Sequence, residues 1–320
     1  MSNILVLGGT GFIGRHICEQ LQRAGHRMTV PTRQAKRADV VRHLPLLTVL
    51  TANVHDPEVL AQLMAGHDAV VNLVAILHGN EAAFERAHVT LARTIARACQ
   101  RSGVRRVVHV SALGATADGP SMYLRSKAKG EAVLQAAGLE LTVLRPSVVF
   151  GEGDRFLNLF GGMQKLLPLV PLAGADTRFQ PVWVEDVASA VVHALTDTAT
   201  IGQTVEVVGP DVFTLRELVR MAGRTVGHQR PVLGLPRAVA YFQALLMELA
   251  PGEPLMSTDN LSSLEVDNVA SPASAGIPTT ASWGLTPAHL AAILPTYMGS
   301  VAGGQGPRNR LLSLRAKGRA

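Results

Sequence analysis

The chain has 320 residues, 47% of them hydrophobic and 17% charged, which fits a globular protein with a sizeable core and excludes a disordered one. Its formal charge of +6 is concentrated at one end: Arg308, Arg310, Arg315, Lys317 and Arg319 put five positive charges and no acid into residues 299–320, leaving +1 for the rest. A basic nucleic-acid-binding surface is therefore not indicated, and Cys18 and Cys99 form neither a C-x-x-C pair nor a disulfide framework.

Asn3–Leu7 is an apolar run bounded by glycine and reads as a buried parallel strand. A helix is predicted from Phe12, with Ile13, Ile17 and Leu21 on one face. Gly8, Gly9, Gly11 and Gly14 lie between, readable as G-x-G-x-x-G or as G-x-x-G-x-x-G. A strand, a glycine turn and a helix in that order form a dinucleotide site, because free N–H groups and the helix dipole hold a pyrophosphate. The strand starts at the third residue, which leaves no room for a signal peptide, and no apolar run is long enough to span a membrane. A reducing cytoplasm is the expected location, with a peripheral position at the inner face of the membrane as the variant of it.

Residues 27–31 read as the second strand. NAD-preferring folds carry an acid at its end, on the ribose 2′-hydroxyl. Here Thr32 and Arg33 follow, then Lys36 and Arg37. A hydroxyl and a cation suit a 2′-phosphate, so NADP(H) is expected in preference to NAD(H), with Arg15 within reach of the same phosphate. Residues 46–51 and 68–75 read as strands three and four. Asn53 and the end of strand four, Val74 and Ala75, are expected beside the cofactor. Asp56-Pro57 starts a helix. Residues 81–102 form one long helix in which His88 packs or faces water, and no histidine spacing suggests a metal.

Residues 106–110 read as the fifth strand, ending at Ser111. A helix is predicted over 122–136, with Tyr123 and Lys127 at i and i+4 on one face. An ammonium beside a phenol lowers its pKa, and the pair can move a proton at a carbonyl or alcohol carbon next to a nicotinamide. Ser111 would orient the substrate oxygen, and Lys127 would also hold the nicotinamide ribose. Ser111, Tyr123 and Lys127 are the candidate catalytic residues.

In the second half, residues 156–167 are amphipathic, with Phe156, Leu159, Phe160 and Met163 on one side. Phe156, Phe160 and Trp183 are candidates for an apolar pocket. A turn and helix occupy 182–195, where Asp186 reads as a structural hydrogen-bonding residue. A late strand occupies 204–208, and Thr214 with Glu217 makes a capping box. Residues 236–250 form an apolar helix, expected to be buried in the lobe in preference to facing a partner or membrane. Residues 257–268 read as a polar helix, 271–282 as a loop, and Trp283 leads into a last short helix. The tail from 299 is expected to be disordered.

The glycine loop, V-S-A-L-G-A, Y-L-R-S-K, L-R-P-S-V-V-F-G and Q-P-V-W-V-E-D-V-A stand in the order of an extended short-chain dehydrogenase/reductase. The chain resembles that family over roughly residues 1–225, and most closely its complex I accessory-subunit group with the bacterial relatives. The resemblance implies an α/β fold: a Rossmann doubly wound parallel sheet with a smaller, mostly helical C-terminal lobe. The expected division is 1–150 for the NAD(P)-binding domain, 151–298 for a lobe interleaved with it, and 299–320 for the tail. The expected cofactor residues are Gly8, Thr10, Gly11, Phe12, Ile13, Gly14, Arg15, Thr32, Arg33, Asn53, Val74, Ala75, Tyr123, Lys127, Pro146 and Val148. Members of the group hold NADP(H) tightly, which implies a binding or assembly protein with a partner at the lobe. The Ser/Tyr/Lys set keeps open an oxidoreductase acting on a small apolar carbonyl or quinone-like substrate. A sugar-nucleotide epimerase is the third class, weakened by the missing acid after strand two and by Leu124 after the tyrosine.

Overall fold

The computed structural model describes residues 1–249, 254 and 256–299. The basic tail expected from residue 299 thus lies, from residue 300 on, outside the described residues. Seven parallel strands form one sheet among the described residues: β1 (Asn3–Leu7), β2 (Arg27–Thr32), β3 (Leu47–Thr51), β4 (Ala69–Asn72), β5 (Arg106–Val110), β6 (Glu140–Pro146) and β11 (Thr204–Val207). Their order is β11-β6-β5-β4-β1-β2-β3. The winding direction reverses between β1 and β4, and ligands of such sheets bind at the carboxyl ends of the strands at that point.

Side chains alternate across a strand, so β1 feeds two cores. Ile4 and Val6 face Ile17, Cys18 and Leu21 of α1 (Phe12–Arg23) and Val187 and Val191 of α7 (Val184–Thr196). Leu5 and Leu7 face Leu60 of α2 (Pro57–Met64), Leu91 and Ile95 of α4 (Leu91–Ser102) and Leu134 of α5 (Met122–Gln135). Each buried leucine or isoleucine stabilises the sheet by roughly 1.5–3 kcal/mol. Gly25, at φ +78°, ends the first helical segment, and Asp56 caps α2 by accepting from Glu58 N and Val59 N.

The second half supplies a third core around Leu157, Phe160, Leu218, Val219 and Leu294, from α6 (Phe156–Leu166), α8 (Leu215–Thr225) and α11 (Leu290–Met298). Among the described residues three two-stranded ribbons flank it: β7 (Val149–Phe150) with β10 (Val182–Trp183), β8 (Val170–Leu172) with β13 (Val232–Gly234), and β9 (Arg178–Phe179) with β12 (Phe213–Thr214). The capping box at Thr214 and Glu217 forms with both of its hydrogen bonds. Strand β11 returns to the main sheet and pairs with β6.

Several expectations need correction. Strand four stops at Asn72, because the Asn72 side chain accepts from Val74 N and turns the chain, so Val74 and Ala75 lie past the strand. The long helix is interrupted: α3 (Glu81–Phe84) passes through a π turn, Glu85–Thr90, into α4. Helix α6 fully buries Leu157, Phe160, Gly161 and Gln164, and Phe156 and Met163 pack partly buried against the same core, so of the four expected residues only Leu159 is outside that cluster. Phe156 and Phe160 pack edge to face at 5.3 Å, with Phe160 in the lobe core and Phe156 and Trp183 packed partly buried against it.

Helix α9 (Arg237–Leu249) is the largest departure, since it buries only Ala240 and Ala244. Two alanines one turn apart let it sit on a narrow contact beside Ala173 and Leu261. The large side chains then point outward: Tyr241 is 54%, Phe242 61% and Leu249 75% exposed. The polar helix over 257–268 shrinks to α10 (Thr258–Ser263). Asn268 instead bridges to Phe179 as extended chain, and two short 3₁₀ turns, Ala273–Ala275 and Thr280–Trp283, punctuate the loop after it.

Candidate active site

The glycine loop joins β1 to α1 under tight constraint. Gly8 has φ +87°, which favours glycine, and a Cβ there would lie 3.2 Å from Leu73. At Gly9 a Cβ would meet Val30 at 2.8 Å, and at Gly14 it would meet the Gly8 carbonyl oxygen at 2.3 Å. Both glycine spacings are therefore structurally demanded. Gly11 opens α1 with no side-chain cap, leaving the positive helix end free for an anion.

The other expected cofactor residues lie at the carboxyl ends of neighbouring strands. Thr32 is buried, and its hydroxyl donates to the Gln34 carbonyl at 3.2 Å. Arg33 is exposed. The His55 pKa is lowered, first by burial and then by Arg33 and Arg86, so Arg86 shares this corner although the sequence did not single it out. Asn53 is exposed and accepts from His55 N at 3.3 Å. Arg15 points elsewhere than expected: its guanidinium donates to the Glu152 carbonyl, tying α1 to the loop after β7. Pro146 is buried at the end of β6, and its carbonyl accepts from Leu113 N. Val148 is held by Asn268, whose Oδ1 accepts from Val148 N at 2.9 Å and from Ser147 Oγ at 2.6 Å.

Lys127 joins α5 to the end of β5 next to Ser111. Lys127 is 2% exposed, and its Nζ donates to the carbonyl of Val110, the residue before Ser111, at 2.8 Å. Tyr123 lies one turn earlier on the same helix. The Ser111 hydroxyl is buried and has no hydrogen-bond partner. Such a group normally has one, and a substrate or cofactor oxygen is a partner suited to it.

The phenol does not have the lowered pKa expected of it. Burial raises Tyr123 to about 12, and burial lowers Lys127 to about 8, with Glu131 opposing. The ammonium is directed at the Val110 carbonyl, and desolvation dominates the phenol. Tyr123 is thus held protonated at neutral pH, ready to donate.

His88 is neither a surface residue nor a ligand. Its Nε2 accepts from Ile76 N at 3.2 Å, while Nδ1 lies 2.8 Å from Ser126 Oγ, which donates to the Tyr123 carbonyl. This pattern puts the proton on Nδ1. Burial and Lys127 lower its pKa to about 3, so it stays neutral. Its ring packs edge-on to Tyr123 at 5.7 Å, and Phe84 packs on both. The π turn makes this approach possible together with Gly130, where a Cβ would lie 2.5 Å from the His88 carbonyl oxygen. Beneath it His109 and Asn72 pair at 3.0 Å, and His109 is also held neutral, by burial, Lys127 and His88.

Two other clusters are structural. His16, Glu19 and Glu185 lie close enough to share an ion. His16 Nδ1 instead bonds Glu185 at 2.7 Å, and Gln20 occupies the other Glu185 oxygen, joining α1 to α7. Asp186 accepts from Ala288 N at 2.8 Å, the structural role expected of it. A groove of about 620 Å³ between Arg216, Val232, Ala240 and Leu261 shares no residue with the Tyr123 site.

A glycine cradle at the switch point, with Ser111 at the end of β5 and Tyr123 and Lys127 on the helix that follows, is the geometry of a nicotinamide dinucleotide site. A family model described as NAD(P)H-binding matches residues 8–198. The chain belongs to this NAD(P)H-binding family. Within it, the chain is similar to the mitochondrial NADH dehydrogenase (ubiquinone) 1 alpha subcomplex subunit 9 of Arabidopsis thaliana, 33% identical over 284 residues, 83% of this chain and 70% of that one. It is also similar to a ceramide reductase of Caulobacter vibrioides, 30% identical over 237 residues, 73% of each chain. Among solved structures, the Thermus thermophilus UDP-glucose 4-epimerase in complex with NAD aligns with a TM-score of 0.70 at 21% identity, over 95% of this chain and 100% of that one. That last likeness shows the fold the family shares. No described helix is long and apolar enough to cross a membrane.

Proposed function

We propose that this chain is an NADP(H)-binding protein of the complex I subunit type, in which the dinucleotide stabilises the fold and the lobe docks a partner. The observation that carries the cofactor choice is the end of β2, where Thr32 and the exposed Arg33 stand in place of an acid. Arg86 adds a second cation to that corner. Gly8, Thr10, Gly11, Phe12, Ile13 and Gly14 would hold the pyrophosphate, Asn53, Val74 and Ala75 the adenine side, and Pro146, Val148, Tyr123 and Lys127 the nicotinamide ribose. A ligand held by the folded chain alone stabilises it by mass action, about 2.7 kcal/mol at a hundred times Kd. Docking is supported by α9, whose outward apolar side chains form the kind of surface that partners or membrane interfaces cover.

A second reading, a reductase, is favoured by the unpartnered Ser111 hydroxyl beside a protonated Tyr123. A bound nicotinamide would supply hydride. Ser111 would fix the substrate oxygen, Tyr123 would give it a proton, and the Lys127 ammonium would stabilise the phenolate left behind.

Calorimetry distinguishes the cofactors. NADPH should bind more tightly than NADH, and Arg33→Asp should flatten or reverse that preference. Equal affinities in the wild type would remove the NADP(H) assignment.

A further inference from the structure

The start of the helix carrying Tyr123 and Lys127 is held from the other half of the chain. Ser121 Oγ accepts from Leu124 N at 3.2 Å, the ordinary local cap. The two amides before it have no local acceptor. They go to one carboxylate, Asp259: Met122 N donates to Oδ1 at 2.6 Å and Tyr123 N to Oδ2 at 3.1 Å. Asp259 is 7% exposed and lies 136 residues away in sequence. A buried carboxylate on two amides at a helix start is held by charge-assisted hydrogen bonds and by the helix dipole.

The next residue grips a different segment. Asn260 Nδ2 donates to the Leu77 carbonyl at 3.2 Å, in the loop after β4, while its Oδ1 accepts from Ser257 N. Helix α10 therefore fastens the start of α5 through Asp259, and it touches neither the glycine loop nor the Arg33 corner through these bonds. We propose that Asp259 is a positioning residue for the nicotinamide half of the cofactor site, acting through the first turn of α5 on Tyr123 and Lys127. This inference rests on the NADP(H) reading above.

The test compares NADPH with 2′,5′-ADP, which keeps the adenosine and its phosphates and lacks the nicotinamide ribose. In the wild type both should bind. Asp259→Ala should weaken NADPH by about tenfold, the equivalent of one good hydrogen bond, and leave 2′,5′-ADP unchanged. Asp259→Asn keeps the side-chain shape and one acceptor, so its NADPH loss should be smaller, with faster amide exchange at 122–124. Equal losses for both compounds in Asp259→Asn, or undiminished NADPH binding in Asp259→Ala, would overturn the inference. A wild type that binds neither compound would overturn the cofactor reading itself, and this inference with it.

Discussion

Gly14→Ala tests the cofactor cradle directly. The added methyl would lie 2.3 Å from the Gly8 oxygen, 2.6 Å from Gly9 Cα and 2.8 Å from the Gly9 carbonyl carbon. Comfortable carbon contacts begin near 3.5 Å, so a gap of about 1 Å must open. All three obstacles are backbone, and no side-chain rotation relieves them. The loop itself must move. Overpacking of this kind costs roughly 1–3 kcal/mol, and the better helix propensity of alanine returns up to about 1. With the full propensity gain the ligand-free protein should therefore lose roughly 0–2 kcal/mol, a fall in Tm of at most roughly 8 °C. Binding should suffer more. Displacing the cradle removes at least one charge-assisted bond to phosphate, roughly 1.5–3 kcal/mol, and raises the NADPH Kd by about 10–150-fold. Fluorescence titration of NADPH measures this, and thermal shift with saturating NADPH checks it independently. A variant that binds NADPH with wild-type affinity would refute the reasoning.

Two further outcomes are expected. Tyr123→Phe should leave NADPH affinity unchanged; if reductase activity exists, turnover should fall by about 10²–10⁴, whereas Lys127→Ala should reduce both turnover and affinity. Assays across ketones, aldehydes and quinones decide this, and activity undiminished in Tyr123→Phe would eliminate the catalytic assignment. Acid should destabilise the fold through His88, whose folded pKa of about 3 lies below the ordinary 6.5. The unfolded chain takes up the proton first as pH falls, so stability is present above pH 6.5 and is lost progressively toward pH 3, by at most about 1.4 kcal/mol per pH unit. His88→Asn should flatten Tm against pH in that window, and an unchanged slope would show that His88 does not govern it.

The parts of the fold that follow from local pattern were legible. Asn3–Leu7, the four glycines and Ile13, Ile17 and Leu21 announce strand, cradle and helix because period and backbone freedom are properties of adjacent residues. Tyr123 and Lys127 share a helix face for the same reason. What escaped depends on distant chain. No local signal assigns Asp259 to the amides of Met122 and Tyr123, or Asn268 to Val148. The Tyr123 phenol was misjudged because spacing reveals the ammonium but not the depth of burial or the Val110 carbonyl that receives the ammonium. Helix α9 misled because apolar content implies burial only when large side chains make the contact, and here two alanines do.

The π turn at Glu85–Thr90 has a consequence for descent. A π turn carries one residue more than the α-helix it interrupts, and each residue turns a helix by about 100°. Removing one residue there would restore a regular helix and swing Phe84 and His88 away from Tyr123 while leaving Leu91 and Ile95 in the core. A one-residue gap at this place in a related chain is therefore a substitution of the tyrosine's whole neighbourhood. Relatives that differ in length here are expected to hold that tyrosine with other side chains, however similar their glycine loops.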